Sequence, residues 1–332
     1  MAKGGELLHL HIENSTRLGE VFEITQARLA DALARHPEIA CNVRITISYD
    51  GDGFREAMAS AQALFAWNFD RANLAAYAPH LRWIQLQGAG VNHLLPFDWL
   101  PPGVTLTNSR GAHGQRASEY LIMALLALNN GLPAMVTNQR ECHWQQIHNS
   151  AIGGKTLLIY GVGHVGGDTA TAAKYFGLKV LGVRRTGAPH PDVDEMYQPH
   201  DLHALLPRAD FVLITAPHTP MTEHVIGQRE FDLMKLGAGF INYSRSKLVD
   251  YLALRDALDA KRISAVLDVF DEEPLPSSSP LWRAPNLIIT PHSSSNDPLH
   301  HAPRSLDLLF DNLGRLLKGK ELRNIVDLNQ QY

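Results

Sequence analysis

The stretch of sequence that decides the fold runs from Thr156 to Asp168 and reads TLLIYGVGHVGGD. It begins with a short apolar run, and a helical pattern continues from Asp168 to Phe176. A short apolar run that ends in a glycine-rich turn is typical of a strand buried in a parallel sheet. The stretch therefore predicts a strand, a tight turn and a helix in direct succession.

The turn has the G-x-G-x-x-G spacing of dinucleotide-binding folds. In that arrangement the first glycine permits the tight turn, the second lets a pyrophosphate approach the backbone, and the third lets the helix pack on the strand. The N–H groups and the positive dipole at the helix start would then bind the diphosphate. A chance glycine turn is the alternative. We predict cofactor contacts from five residues of this turn: Gly161, Gly163, His164, Val165 and Gly166.

Short aliphatic or β-branched runs alternate with helical patterns along the chain, which is typical of α/β proteins with parallel sheets. From residue 156 onwards, six strands are predicted, and six match a doubly wound dinucleotide-binding domain. These six are Thr156–Tyr160, Lys179–Val183, Phe211–Ala216, Phe240–Tyr243, Ala265–Phe270 and Leu287–Thr290. The strands predicted in the first third are Leu7–Ile12, Val43–Tyr49, Ala63–Trp67, Trp83–Leu86 and Val104–Thr107.

The chain has 332 residues, and a chain of this length usually forms more than one domain. Turn-forming residues at Asn108–Gly111 and Ser295–Pro298 predict two crossings between domains. We predict two doubly wound α/β domains: a flavodoxin-like substrate domain over 1–109 and 298–332, and a Rossmann-type dinucleotide-binding domain over 110–297. A helical pattern from Arg304 to Leu317 either caps the Rossmann domain or returns to the first domain, and we assign it to the first.

Composition argues against several functional classes. Hydrophobic residues make up 45% of the chain and charged residues 19%, with a net charge of −4, which is ordinary for a globular protein. Because no basic tail or basic helix face occurs, we expect neither a nucleic-acid nor a membrane partner. The two cysteines, Cys41 and Cys142, lie in unrelated segments. They favour a reducing compartment, so we expect a cytoplasmic protein without a metal site.

The strand after the glycine turn ends in the sequence KVLGVRRTG. An NAD-dependent enzyme would carry Asp or Glu there to accept a hydrogen bond from the ribose 2′-hydroxyl. This chain has Arg184 and Arg185 instead, and guanidinium groups can bind a 2′-phosphate through charge-assisted hydrogen bonds. We therefore predict a preference for NADP(H). The alternative is a pair of solvated arginines in an enzyme that uses NAD(H) without an acidic anchor.

Three segments at the ends of late strands carry candidate catalytic groups, because ligands of open α/β sheets bind at those strand ends. Reduction of a 2-oxo acid by a nicotinamide needs a cation for the carboxylate and carbonyl, an acid for the carbonyl oxygen, and a carboxylate that keeps the acid charged and oriented. Arg245, His292 and Glu273 can fill these roles in that order.

The order and spacing of these segments resemble the D-isomer-specific 2-hydroxyacid dehydrogenases over nearly the whole chain. In that family the arginine lies in N-x-x-R-G-x-x-V-D, the glutamate in D-V-F-x-x-E-P and the histidine in T-P-H, and Arg245, Glu273 and His292 occupy those places. The sequence SPLWRAPNLIITPH, together with His143-Trp144-Gln145, is most similar to the glyoxylate/hydroxypyruvate reductase branch.

The resemblance implies further contacts. It places the substrate carboxylate against a glycine loop of the first domain, Gly88, Ala89 and Gly90. Trp144 lines the same pocket or packs at the joint between the domains, and both readings stay open. The resemblance also implies a homodimer and a small 2-oxo or 2-hydroxy acid substrate. Further residues predicted to contact the cofactor are Pro217, Thr222, Tyr243 and Asp268.

Three departures from the family pattern affect the shape of the pocket. Asn92 replaces an aspartate after the glycine loop, Ser246 replaces a glycine after the catalytic arginine, and Ser-Ser-Ser-Asn-Asp follows His292. The catalytic groups are intact, so we predict an enzyme that reduces a small 2-oxo acid to the D-2-hydroxy acid. The alternatives are a family dehydrogenase for a bulkier 2-oxo acid and a dinucleotide-sensing, corepressor-like binding protein.

Overall fold

A computed structural model of the protein describes residues 7–112 and 114–332. Residues 1–6 and His113, which fall inside the predicted domain ranges, lie outside the described residues. The described chain forms two compact units. The first comprises the chain up to residue 112 together with Asn296–Tyr332, and the second comprises Gly114–Ser295.

The first unit contains a five-stranded parallel sheet in the order β2-β1-β3-β4-β5. This is the strand order of flavodoxin-like folds. Because β1, β3 and β4 have neighbours on both sides and helices on both faces, most of their residues are buried. The strands are β1 (Leu8–Asn14), β2 (Val43–Tyr49), β3 (Ala63–Ala66), β4 (Trp83–Leu86) and β5 (Thr105–Thr107).

The C-terminal helix belongs to the core of the first unit. It begins at His301, three residues before the predicted start, and its apolar face carries Leu306, Leu309 and Leu313. These side chains pack with Leu10 of β1, because residues three and four apart share one helix face. The helices of this unit are α1 (Gln26–Arg35), α2 (Pro37–Ala40), α3 (Phe54–Met58), α4 (Leu74–Tyr77) and α11 (His301–Leu317).

The second unit contains a seven-stranded parallel sheet in the order β12-β11-β10-β9-β6-β7-β8. Its strand order reverses between β6 and β9, as in a Rossmann-type domain. The predicted α/β fold class with a Rossmann-type domain is confirmed. The strands are β6 (Thr156–Tyr160), β7 (Lys179–Val183), β8 (Glu195–Tyr197), β9 (Phe211–Ile214), β10 (Ala238–Asn242), β11 (Ile263–Leu267) and β12 (Leu287–Ile289).

The prediction of six strands in this domain was wrong, because β8 was missed. This strand has three residues, Glu-Met-Tyr, all only partly buried at the sheet edge, so it lacks the apolar run that marks a central strand. Two predicted strands extended two or three residues too far at their C-terminal ends, since β9 ends at Ile214 and β11 at Leu267. The apolar residues continue beyond the hydrogen-bonded ladder because the following loops are also buried.

Helices cover both faces of the second sheet. Among the described residues no single helix is long and apolar enough to cross a membrane, although α5 and α6, which meet at a bend of 66°, would pass that test as a pair. The apolar residues of α5 are largely buried in the core of the unit. The helices are α5 (Gly114–Asn129), α6 (Leu132–Arg140), α7 (His164–Tyr175), α8 (Leu202–Leu205), α9 (Gln228–Leu233) and α10 (Tyr251–Asp259).

Candidate active site

The turn between β6 and α7 contains three glycines, and the surroundings of the missing side chain differ among them. Gly161 has a φ of +111°, and a Cβ there would lie 2.2 Å from the backbone nitrogen of Ala216. A Cβ on Gly166 would lie 2.6 Å from the carbonyl oxygen of Gly161. At Gly163, by contrast, a Cβ would meet nothing within 4 Å. The first and third glycines therefore allow close packing, and the second faces open space.

The open space at Gly163 lies at the start of α7. The first N–H groups of a helix have no partner within the helix and carry part of its positive dipole. The Thr215 hydroxyl donates a hydrogen bond to the carbonyl oxygen of Gly161 at 2.8 Å, which holds the turn against β9. A diphosphate fits this cradle, so His164 and Val165 of the first helical turn could bind it through their N–H groups.

Arg184 and Arg185 directly follow β7. Arg184 is half-buried and Arg185 is exposed. No carboxylate occurs from residue 184 to residue 191. The acidic groups that come next are engaged elsewhere: Asp192 accepts from the Thr171 hydroxyl at 2.6 Å, and Asp194 is paired with Lys174 at 2.7 Å. The end of this strand is therefore suited to an anionic group.

The loop after β9 carries the predicted cofactor residues Pro217 and Thr222. The Thr222 hydroxyl donates to the carbonyl oxygen of Pro217 at 2.8 Å and accepts from the N–H of Thr219 at 2.9 Å. Thr222 thus closes its own loop and leaves Pro217 exposed. The Ser244 hydroxyl donates to the carbonyl oxygen of Ala216, so this loop is joined to the segment that carries Arg245.

Arg245 follows β10 by three residues and is half-buried. The side-chain amide of Asn242 donates to the carbonyl oxygen of Arg245 at 3.0 Å. Arg245 Nη1 donates to the carbonyl oxygen of Ser244 at 2.7 Å, which orients part of the guanidinium. Burial lowers the pKa of Arg245, and the negative charge of Glu273 raises it. A guanidinium stays protonated despite such shifts, so Arg245 presents a fixed positive charge.

Glu273 and His292 are in direct contact. His292 Nδ1 lies 2.6 Å from Glu273 Oε2, a distance typical of a charge-assisted hydrogen bond. The other carboxylate oxygen, Oε1, accepts from the N–H of Phe270 at 2.9 Å. Glu273 therefore closes the turn after β11 and binds the histidine ring with the same group. The side chain of His292 is 44% exposed, and no described residue forms a hydrogen bond with its Nε2.

These three side chains follow three neighbouring strands, β10, β11 and β12. Since the strands are parallel, their C-terminal ends lie at one edge of the sheet. Glu273 contacts His292 and acts electrostatically on Arg245. The structure therefore brings a guanidinium, a carboxylate and an imidazole to one place within the second unit.

Tyr243 and Asp268 directly follow β10 and β11, at the same edge of the sheet. Asp268 is 1% exposed and accepts hydrogen bonds from Thr290 and from the segment after His292. Burial raises the pKa of Tyr243 to about 12, so its hydroxyl is protonated at neutral pH. Tyr120 of α5 contacts Thr290 at 2.7 Å. Tyr120 is not among the predicted site residues, because a tyrosine in a largely apolar helix gives no local signal of a site.

The predicted substrate loop lies in the first unit, after β4. The carbonyl oxygens of Gly88 and Ala89 accept from Ser109 and Asn108 at 3.0 and 2.8 Å. Within the described ranges, the N–H groups of residues 88–90 donate to no acceptor. A Cβ on Gly88 would lie 2.2 Å from the Trp67 ring, so the loop requires glycine there. Its free N–H groups suit a carboxylate.

Trp144 lies between α6 and β6 in a segment without helix or strand. Its side chain is 92% exposed, and a large aromatic ring in this position has unused apolar surface. Its predicted contact with the substrate stays a prediction. The same holds for the roles of the other predicted site residues, whose positions are given above.

Comparisons with known proteins agree with this architecture. Residues 122–294 match the NAD-binding domain of the D-isomer specific 2-hydroxyacid dehydrogenases. The chain is 30% identical to a glyoxylate reductase of Korarchaeum cryptofilum over 262 residues, 75% of this chain and 77% of that protein. It is also 30% identical to a D-3-phosphoglycerate dehydrogenase of Methanocaldococcus jannaschii over 259 residues, which are 76% of this chain but only 48% of that protein.

A solved structure of an NADPH-dependent glyoxylate/hydroxypyruvate reductase from Sinorhizobium meliloti, in complex with NADP and sulfate, is similar throughout. The TM-score is 0.82 at 25% identity, and the match covers 98% of this chain and all of that one (100%). Fold and site together define an α/β protein that binds a nicotinamide dinucleotide. The chain belongs to the D-isomer specific 2-hydroxyacid dehydrogenase family, a family of oxidoreductases, and this prediction is confirmed.

Proposed function

We propose that the protein is an NADPH-dependent reductase that converts a small 2-oxo acid, of the size of glyoxylate or hydroxypyruvate, into the D-2-hydroxy acid. The observation that carries this proposal is the 2.6 Å contact between His292 and Glu273, at the sheet edge where Arg245 also lies. Relatives named glyoxylate reductase support the substrate class.

When bound, NADPH would supply the hydride for the carbonyl carbon. Arg245 binds the substrate carboxylate and carbonyl, and it stabilises the negative charge that builds on the carbonyl oxygen. His292 donates a proton to that oxygen from Nε2. Glu273 accepts the Nδ1 proton of the same ring, which fixes its orientation and stabilises its charge when both nitrogens are protonated. In the oxidative direction His292 accepts the proton instead.

The residues at the end of β7 support the proposed preference for NADPH. Arg184 and Arg185 stand where an acidic residue would repel a 2′-phosphate, and Asp192 and Asp194 are engaged with other partners. The solved relative with bound NADP supports the same preference. NAD(H) remains the second cofactor to test. The homodimer, the cytoplasmic location and the roles of Gly88, Ala89 and Gly90 stay predictions.

A panel of 2-oxo acids tests the proposal. Glyoxylate, hydroxypyruvate and an aromatic 2-oxo acid are each added to the protein with NADPH or NADH, and nicotinamide absorbance is followed. We expect the largest kcat/KM for a small acid with NADPH, and a product of D configuration. A higher kcat/KM with NADH would contradict the role of Arg184 and Arg185. No oxidation with any acid, by a folded protein that still binds NADPH, would contradict the reductase proposal and favour a binding protein.

A further inference from the structure

The second unit contains a buried carboxylate, Asp268, at the centre of four hydrogen bonds. It accepts from the Thr290 hydroxyl at 2.6 Å, from the N–H groups of Ser293 and Ser294 at 3.3 Å each, and from the Ser294 hydroxyl. An ionised carboxylate has about four acceptor sites. The donors therefore come from both sides of His292 in the chain, and they use most of what Asp268 can accept.

The directions of these bonds can be assigned from the protons available. Thr290 has one hydroxyl proton. The buried carboxylate of Asp268 is the strongest acceptor within reach, so Thr290 donates its proton to Asp268. Tyr120, whose hydroxyl lies 2.7 Å from Thr290 Oγ1, must then be the donor to Thr290. The result is a directed chain from Tyr120 through Thr290 to Asp268. Burial raises the pKa of Tyr120 to about 12, so its hydroxyl keeps the proton that this chain requires.

His292 has a backbone conformation that needs support. Its φ is +48°, in the left-handed region that non-glycine residues rarely adopt because their Cβ lies too close to the following carbonyl oxygen. Its N–H donates to the carbonyl oxygen of Thr290 at 3.1 Å. The turn around His292 is therefore joined to Thr290, whose side chain is hydrogen-bonded to Asp268. The next two N–H groups are held by Asp268 itself. One carboxylate thus fixes the backbone before and after the histidine.

We propose that Tyr120 and Thr290 are positioning residues for His292, acting through Asp268. They hold the turn in the conformation that directs the imidazole toward Glu273 and leaves Nε2 accessible. Among the described residues, neither side chain forms a hydrogen bond with Arg245, Glu273 or His292, so their effect passes through the geometry of His292. This inference deepens the proposed function and rests on it, since it assumes that His292 transfers the proton.

Three variants separate positioning from simple structural support. Thr290→Val keeps the shape of the side chain and removes the hydroxyl, Thr290→Ser keeps the hydroxyl, and Tyr120→Phe removes only the donor to Thr290. A matched control is Thr46→Val in the first unit, where a threonine hydroxyl also lies between two partners, at 2.8 Å from each. Each protein is assayed for kcat and KM of the 2-oxo acid, for the Kd of NADPH, and for thermal unfolding.

We expect Thr290→Val to lower kcat by about tenfold or more, because it removes a hydrogen bond to a charged group. Tyr120→Phe, which removes a neutral hydrogen bond, should lower kcat by about threefold. KM and the Kd of NADPH should stay within about twofold of wild type, given that backbone geometry and not binding is altered. Thr290→Ser should restore most of kcat. Thr46→Val should lower the unfolding temperature and leave kcat unchanged.

Two results would overturn the inference. In the first, kcat per NADPH-binding site is unchanged in Thr290→Val and Tyr120→Phe, even if the unfolding temperature falls. In the second, Thr290→Ser loses as much kcat as Thr290→Val, so that the hydroxyl is irrelevant. Failure of the proposed function is recognised separately, because the wild-type protein would then fail to oxidise NADPH whichever 2-oxo acid is added. That result would remove this inference as well.

Discussion

One hydrogen-bonded histidine–glutamate pair of the first unit, His11 and Glu13, and one of the second, His292 and Glu273, have opposite surroundings. In the first unit His11 Nε2 lies 3.3 Å from Glu13 Oε2, and the two side chains are 1% and 3% exposed. In the second unit His292 Nδ1 lies 2.6 Å from Glu273 Oε2, and the side chains are 44% and 36% exposed. The residue types are the same, so the surroundings decide what each pair can do.

In the first unit both ring nitrogens of His9 and both ring nitrogens of His11 have hydrogen-bond partners. Arg44 donates to His9 Nδ1 at 2.9 Å, so His9 must donate from Nε2 to the Thr46 hydroxyl at 2.8 Å. Thr46 then donates to His11 Nδ1 at 2.8 Å, and His11 donates to Glu13. In this series of hydrogen bonds between β1 and β2, each ring N–H and the Thr46 hydroxyl donate to another member of the series. It is suited to holding two strands together and not to exchanging protons with a substrate.

In the second unit Nδ1 of His292 is hydrogen-bonded to Glu273. In the part of the chain that the structure describes, its Nε2 has no hydrogen-bond partner. The pair also lies at the C-terminal edge of a parallel sheet, where ligands of such folds bind. A histidine–carboxylate contact therefore indicates a site for chemistry only when the second nitrogen is accessible and the pair lies at such an edge.

The largest expected effect is that of His292→Ala. Removal of the proposed proton donor should lower kcat by about 10²–10⁴-fold, while the Kd of NADPH, measured by fluorescence titration, should change little. The matched variant is His11→Ala, which should lower stability and leave kcat per folded molecule unchanged. Equal loss of kcat in the two variants would erase the distinction between the pairs.

Glu273→Gln should have the next largest effect. The amide cannot stabilise the charge of the protonated ring, and the loss of a charge-assisted hydrogen bond corresponds to about 10–100-fold in kcat. Steady-state kinetics at saturating NADPH measure the change. If kcat stays at the wild-type value, Glu273 only closes the turn through its bond to Phe270.

Glu13→Gln makes the corresponding change in the first unit. Glu13 accepts from the N–H of Gly51 at 2.7 Å as well as from Ser48 and His11, so loss of its charge should reduce the free energy of unfolding by about 1–3 kcal/mol. Calorimetric unfolding measures the effect, and kcat serves as the control. A drop in kcat at unchanged stability would mean that the ladder serves the reaction.

The smallest effect is a dependence of stability on pH through His9. Burial lowers the pKa of His9, and the positive charge of Arg44 lowers it further. The unfolded state then binds a proton that the folded state does not, so stability is full above about pH 6.5 and falls as the pH drops toward the folded pKa. The unfolding temperature of the wild-type protein should fall on acidification, and His9→Gln should flatten that slope. A slope of equal steepness in the variant would exclude His9 as its source.

Much of the second unit could be predicted because its signals are local. The motif glycines, the strand that precedes them, and Arg245, Glu273 and His292 lie in short stretches at strand ends, where a few adjacent residues determine both structure and chemistry. The short edge strand β8 could not be predicted in this way, since its half-buried residues pack on one side only and have no distinctive pattern.

The contacts that connect distant residues were beyond local patterns. Tyr120 and Thr290 are separated by 170 positions in the chain, and a single tyrosine in an apolar helix is compatible with ordinary core packing. The alternation of His9 and His11 on one face of β1 is visible in the sequence. Their partners on β2, Arg44 and Thr46, are determined by strand order and register, which only the fold supplies.

The three glycines of the turn before α7 differ in what a methyl group would disturb, and this has a practical consequence. Alanine at Gly161 or Gly166 would press on backbone atoms, so such variants report on folding. Alanine at Gly163 would project into solvent with nothing within 4 Å. Gly163→Ala should therefore fold normally and have an obstructed phosphate cradle. Changes in shape, stability or assembly that the cofactor causes in the wild-type protein should be absent from this variant.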